Sequence, residues 1–138
     1  MDELPIKIFL IEDDPGDVDL IKELLTPETN PSFSLQSVNR LQTAIKQFTQ
    51  LDADIILLDL SLPDSQGLKT FQEVHRQEPN IPIVVLTGLN DETVALESVR
   101  QGAQDYLVKG QINGKMLSRP SSRISPLTQF FALSPKTC

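Results

Sequence analysis

Tryptophan is absent from this sequence, and cysteine, histidine and tyrosine occur once each. Six Phe and the lone Tyr are its only aromatic residues, so the core has to be mainly aliphatic. The single thiol, Cys138, cannot close an internal disulfide, which fits a reducing compartment. Long apolar runs are missing too. Uninterrupted aliphatic stretches reach about four residues, where a membrane-spanning helix needs about 20. The start, Met1-Asp2-Glu3-Leu4-Pro5, is acidic where a secretory signal would be basic. Basic residues are outnumbered, 12 Lys+Arg against 19 Asp+Glu for a net charge of −7, so there is no footprint of a general nucleic-acid binder. These absences predict a soluble, cytoplasmic protein without nucleic-acid or membrane partners. What remains is globular composition, 39% hydrophobic and 22% charged over 138 residues, a length suited to one domain.

Short apolar runs alternate with amphipathic stretches. Ile6–Ile11 is strand-like and stops at Glu12-Asp13-Asp14. Pro15 follows, at a position suited to the first residue of a helix, with Asp14 as N-cap. Val18, Ile21 and Leu25 recur at helical spacing, and Thr26-Pro27 ends that helix. A weaker strand covers Phe33 to Val38, and Leu41, Ala44, Ile45 and Phe48 mark an amphipathic helix. Asp54–Asp59 is an unbroken apolar strand closed by an acid, which suits a central parallel strand covered on both faces. A loop from Ser61 to Gly67 leads into a helix over 68–78. Ile81–Thr87 is a further buried strand, Asp91 is placed to cap a helix that stops at Gly102, and Asp105–Lys109 is the fifth strand. Five strands separated by helices predict an α/β fold, a doubly wound five-stranded parallel sheet with right-handed crossovers.

The pattern fails towards the C-terminus. Residues 112–117 begin a fifth helix, but Pro120 interrupts it, and Pro126 and Pro135 follow in a Ser-containing stretch. Residues 111–138 carry four basic residues and no acid, +4, whereas 1–110 hold eight basic residues against all nineteen acids, −11. The expected organisation is one domain over 1–118 and an irregular basic tail over 119–138. The abrupt change also suggests that the natural frame or continuation is lost after about Met116. The other two frames of the encoding DNA test this, and absence of a helical continuation there would refute it.

In a doubly wound sheet, functional groups gather beyond the carboxyl ends of the strands. Those ends offer Glu12 and Asp13, then Asp59, then Thr87, then Lys109. Three carboxylates require a balancing cation, and an all-oxygen donor set suits Mg²⁺. An ammonium and a hydroxyl at the same crevice can bind phosphoryl oxygens. The chemistry suggested is phosphoryl transfer onto a carboxylate.

At this point the sequence resembles the receiver domain of two-component response regulators, over about residues 5–112. The stretches IFLIEDDPGD, DIILLDLSLPDSQG, PIVVLTG and GAQDYLVKG carry the likeness. The resemblance implies a flavodoxin-like strand order, 2-1-3-4-5, and a phosphoryl group passed from a histidine kinase or histidine phosphotransfer protein. It implies Asp59 as phosphoacceptor, with Thr87 and Lys109 completing the catalytic set. It implies Glu12, Asp13, Asp59 and the Ser61 backbone carbonyl as the Mg²⁺ site, with Thr87 and Tyr106 as the switch pair. Such a module is a signalling phosphoacceptor rather than an enzyme, although slow autodephosphorylation fits it. Two departures stand out. Gly110 follows the lysine where many members have Pro, and the fifth helix, which completes the sheet's cover, is truncated or disrupted.

Each residue also has a plainer reading. The acidic turn caps a helix, Thr87 packs as a β-branched residue, Lys109 is a solvated strand end, and Tyr106 is a half-buried core aromatic. His75 is expected on the solvated side of its helix, Phe130-Phe131 as a stray apolar pair, and Cys138 as inert. Their joint placement at strand ends is what the plain readings leave unexplained for the first four. Other functions remain open: a degenerate receiver acting as an unphosphorylated adaptor, an aspartyl-nucleophile phosphohydrolase, or a mononucleotide binder on a similar sheet. Haloacid-dehalogenase-like hydrolases carry a second Asp where Ser61 stands here, and Glu12-Asp13-Asp14 would repel a nucleotide phosphate.

Overall fold

A computed structural model of the chain describes residues 6–24, 33–88 and 91–109. In chain order these form β1 (Ile6–Ile11), α1 (Pro15–Leu24), β2 (Phe33–Val38), α2 (Leu41–Gln47) and a 3-10 turn (Phe48–Gln50). Then come β3 (Ile55–Asp59), the short strands β4 (Ser61–Leu62) and β5 (Ser65–Gln66), α3 (Leu68–Gln77), β6 (Ile83–Thr87), α4 (Glu92–Arg100) and β7 (Asp105–Val108). Five strands pair in parallel in the order β2-β1-β3-β6-β7. Counted among sheet strands alone, that is 2-1-3-4-5, the expected doubly wound topology.

The unbroken apolar runs are explained by what covers them. Every residue of β3 and of β6 is buried. Ile56, Leu58, Ile83 and Val85 face a cluster with Leu41 and Ala44 of α2, Phe71 and Val74 of α3, and Ala95 of α4. Ile55, Leu57, Val84 and Leu86 face the opposite side, with Ile21, Val18 and Leu20 of α1. Alternate side chains therefore feed two separate apolar layers, as a parallel sheet with helices on both faces requires. Full burial of one such side chain is worth about 1.5–3 kcal/mol.

Asp14 caps α1 as its sequence suggests. Its carboxylate accepts the Gly16 N–H at 2.9 Å, and its carbonyl accepts the Val18 N–H at 3.0 Å. Asp91 does not behave as expected. It holds the N-cap position of α4, but its backbone (φ −117°, ψ 22°) is not extended and its side chain makes no capping bond. An extended backbone is what normally turns a cap side chain back onto the first turn. Helix α2 is capped from a distance: both Asp64 oxygens accept N–H bonds, from Leu41 at 2.8 Å and Gln42 at 2.9 Å. Asp64 lies in the turn of an antiparallel β4–β5 hairpin inside the stretch read as a plain loop. Two-residue strands carry no periodicity to read.

β6 opens at Ile83 rather than Ile81, because Pro82 has no N–H for the ladder, although its carbonyl accepts the Ile56 N–H at 2.9 Å. Gly102 stands just past α4 with φ +129°, the conformation a helix-terminating glycine supplies. His75 is half-buried rather than fully solvated. Its ring stacks on Phe71 (centroids 5.2 Å apart) and lies so close to Gly102 that a Cβ there would sit 2.9 Å from Nε2. The expected end of α1 at Thr26-Pro27, Gly110, the fifth helix and the tail with Phe130-Phe131 and Cys138 lie outside the described residues.

Candidate acidic metal site at the strand ends

Sheet register assembles the site. β1 pairs Ile11 with Leu58, so the next residues along, Glu12 and Asp59, come level. β3 pairs Asp59 with Leu86, and β6 pairs Thr87 with Val108, which brings Lys109 one step beyond. The chain crosses from one face to the other between the neighbouring strands β1 and β3, the switch point where such sheets open a crevice.

Glu12 and Asp59 are buried and Asp13 is exposed, and one oxygen from each lies within 4.8 Å of the others. Lys109 supplies the compensating charge. Its Nζ is 2.8 Å from Asp17 Oδ2, 3.0 Å from Glu12 Oε1 and 3.2 Å from Asp59 Oδ2. Asp59 Oδ1 accepts the Ser61 N–H at 3.0 Å, and Glu12 Oε2 accepts the Asp14 N–H at 3.1 Å. Burial, reinforced by hydrogen bonding and repulsion from Asp59, pushes the Glu12 carboxyl up to about 8. Burial acts to lower the Lys109 pKa, but the hydrogen bond it donates to Asp17 and the charges of Asp59 and Glu12 outweigh it and raise it well above the usual lysine range.

Glu12 Oε1 is buried without a hydrogen-bond partner, since the Lys109 ammonium reaches it as a charge contact and is not aligned as a donor. An orphaned carboxylate oxygen beside two further carboxylates is a hard-oxygen donor set that fits a divalent cation such as Mg²⁺ or Mn²⁺. A cleft of about 460 Å³ opens on Glu12 and Asp13, between the start of α1 and Ser37 to Asn39 at the end of β2.

Thr87 and Tyr106 are tied to the start of α4. The buried Thr87 hydroxyl donates to the Asp91 carbonyl at 3.1 Å. The Tyr106 hydroxyl donates to Glu92 Oε2 at 2.7 Å, a bond that raises its pKa, while its ring packs against the core cluster under α3 and α4. Tyr106 is thus both a core aromatic and a polar tether. Glu12, Asp13, Asp59 and Lys109 converge, whereas Thr87 and Tyr106 engage the adjoining segment. Ser61 opens the β4–β5 hairpin directly after Asp59 and Leu60. The sequence reading missed Asp17, the nearest partner of Lys109. Its only mark in the sequence is as an acid in the first turn of a helix, where acids are ordinary.

An acidic cluster with a lysine at the switch point of a 2-1-3-4-5 parallel sheet defines a flavodoxin-like α/β protein with a metal-competent site. The family model for the response regulator receiver domain matches residues 8–119, so the chain belongs to that family, whose members are typically non-enzymatic signalling modules. Among curated relatives, it is 34% identical over 100 residues to the regulatory protein LuxO of Vibrio cholerae, covering 72% of this chain and 21% of that protein. It is 30% identical over 104 residues to the probable C4-dicarboxylate response regulator DctR of Bacillus subtilis, covering 75% of this chain and 45% of that one. The chain therefore spans about a fifth to a half of these relatives. The phosphorylated cyanobacterial phytochrome response regulator RcpA superposes with a TM-score of 0.73 at 26% identity, over 94% of this chain and 96% of that one. The Mn²⁺-bound form of response regulator Rcp1 gives 0.71 at 25% identity, over 97% of each. Among the described residues, no helix is long and apolar enough to cross a membrane.

Proposed function

We propose that this chain is a phosphoacceptor receiver of a two-component phosphorelay, with residues 1–118 as the receiver and 119–138 as a basic tail. Support comes chiefly from one observation: an Asp at the end of a central strand lies within 3.2 Å of a partly buried lysine and inside a three-carboxylate cluster. Asp59 is the acceptor. One of its carboxylate oxygens forms a bond to phosphorus as the P–N bond of a phosphohistidine breaks, and the imidazole nitrogen leaves with the electron pair. The phosphohistidine belongs to a histidine kinase or a histidine phosphotransfer protein, and a downstream protein partner reads the result in the cytoplasm.

Glu12, Asp13, Asp59 and the Ser61 carbonyl hold the cation, and Mg²⁺ when bound neutralises charge on the transferring phosphoryl oxygens. The Ser61 N–H fixes Asp59 through Oδ1. Lys109 donates to the arriving phosphoryl oxygens. Thr87 exchanges its bond to the Asp91 carbonyl for one to the phosphoryl group, and Tyr106, tethered nearby through Glu92, reorients with it. The signal is then a population shift in the surface around α4 and β7.

The test is intact-mass measurement after incubation with acetyl phosphate and Mg²⁺, with Asp59→Asn alongside. A single phosphoryl adduct on the wild type and none on the variant is expected. No adduct on folded wild-type protein, or an undiminished adduct on the variant, refutes Asp59 as acceptor.

A further inference from the structure

We infer that Asp17 is a positioning residue that competes with the phosphoryl group for Lys109, and so sets how strongly the phosphorylated state is favoured. The inference rests on the phosphoacceptor reading and adds a residue to it. Lys109 has three N–H donors, and three carboxylates occupy them: Asp17 Oδ2 at 2.8 Å, Asp59 Oδ2 at 3.2 Å and Glu12 Oε2 at 3.3 Å. A phosphoryl group formed on Asp59 brings new anionic oxygens to an ammonium with no donor to spare, so one existing bond has to be surrendered.

The three partners differ in what surrender costs. The side chains of Glu12 and Asp59 are 0% and 3% exposed, so either would be left as a buried polar group short of a donor that water cannot replace. The Asp17 side chain is 28% exposed, on the first turn of α1. Water can replace its bond to Lys109 at little cost. Asp17 is therefore the partner that exchanges. In the resting protein it holds the ammonium at the mouth of the site. On phosphorylation it releases a donor to the phosphoryl oxygens and turns to solvent. Its contact is made in the unphosphorylated state and broken in the phosphorylated one, so it favours the former, and removing its charge should tilt the balance towards the latter.

The test uses beryllofluoride, a non-covalent phosphoryl mimic, titrated at saturating Mg²⁺ into wild type, Asp17→Asn and Asp17→Glu, with circular dichroism confirming that each is folded. Asp17→Asn should bind the mimic about fivefold more tightly, the fold-change of losing one partly exposed charged contact. Asp17→Glu, which restores the charge, should return affinity towards wild type. A merely structural role would weaken binding. If wild type binds and Asp17→Asn binds equally well or less well, the inference fails while the phosphoacceptor reading stands. If Asp17→Asn does not fold, Asp17→Glu with affinity more than fivefold above wild type also overturns it. If folded wild-type protein neither binds the mimic nor takes a phosphoryl group from acetyl phosphate, both fail together.

Discussion

Glu12 should make cation binding at the proposed site a proton-exchange reaction. Its carboxyl is buried against Asp59 and pushed up to about 8 from an ordinary value of 4.5. At pH 7 it is therefore mainly protonated. A divalent cation needs the carboxylate form, so Mg²⁺ binding should release protons at pH 7, and the release should fall away as pH rises past about 8. Apparent affinity should fall roughly tenfold between pH 7 and pH 6 and level off above about pH 9. Isothermal titration in buffers of different ionisation enthalpy measures both quantities. Stability follows with a definite sign. The folded pKa lies above the unfolded one, so the stabilisation from this proton is fully present below about 4.5 and lost as pH rises to about 8. Saturating cation should remove that loss at neutral pH and above. Proton release near zero at pH 7, together with an affinity that is flat from pH 6 to 9, would refute the reasoning.

Three further perturbations have defined outcomes. Asp64→Ala removes both side-chain bonds that cap α2 and should cost about 0.5–2 kcal/mol in urea unfolding; an unchanged midpoint would show the tether to be idle. Gly102→Ala places a methyl 2.9 Å from His75 Nε2 at φ +129° and should cost about 1–3 kcal/mol. Adding His75→Ala should relieve the clash but leave the backbone strain, so full recovery in the double variant would contradict the geometry. Lys109→Met leaves the buried Glu12 and Asp59 without their ammonium and should destabilise the metal-free protein by about 1–3 kcal/mol at pH 8. The loss should be smaller at pH 5, where Glu12 is protonated, and an equal loss at both pH values would argue against charge as its origin.

Strand ends were legible in the sequence because burial on both faces leaves unbroken apolar runs, and an acid or a hydroxyl closes each run where the core stops. Ile55–Asp59 and Ile83–Thr87 show this directly, each fully buried up to its polar last residue. Register then converts those ends into one site, which is why Glu12, Asp13, Asp59 and Lys109 could be named before any contact was known. Contacts made across long sequence separations were not legible. Asp64 caps a helix 23 residues earlier, and Asp17 meets Lys109 across 92 residues. Both are short acids in positions where acids are commonplace, so composition and spacing carry no mark of the partner. His75 was misread for a related reason. Its polar neighbours on α3 suggested a solvated face, but the space above Gly102, which has no side chain, admits its ring. Asp91 shows the opposite failure: the right residue type stands at the right position, and the backbone turns its side chain away from the capping role.

Reductive trapping with borohydride locates the phosphoryl group directly, because reduction of an aspartyl phosphate leaves homoserine at the modified position. After incubation with acetyl phosphate and Mg²⁺, peptide mass mapping should find homoserine at position 59 and leave Asp13, Asp14 and Asp17 unchanged. Homoserine at one of those three positions instead, or at none in a folded sample, would contradict the assignment of Asp59 as the acceptor.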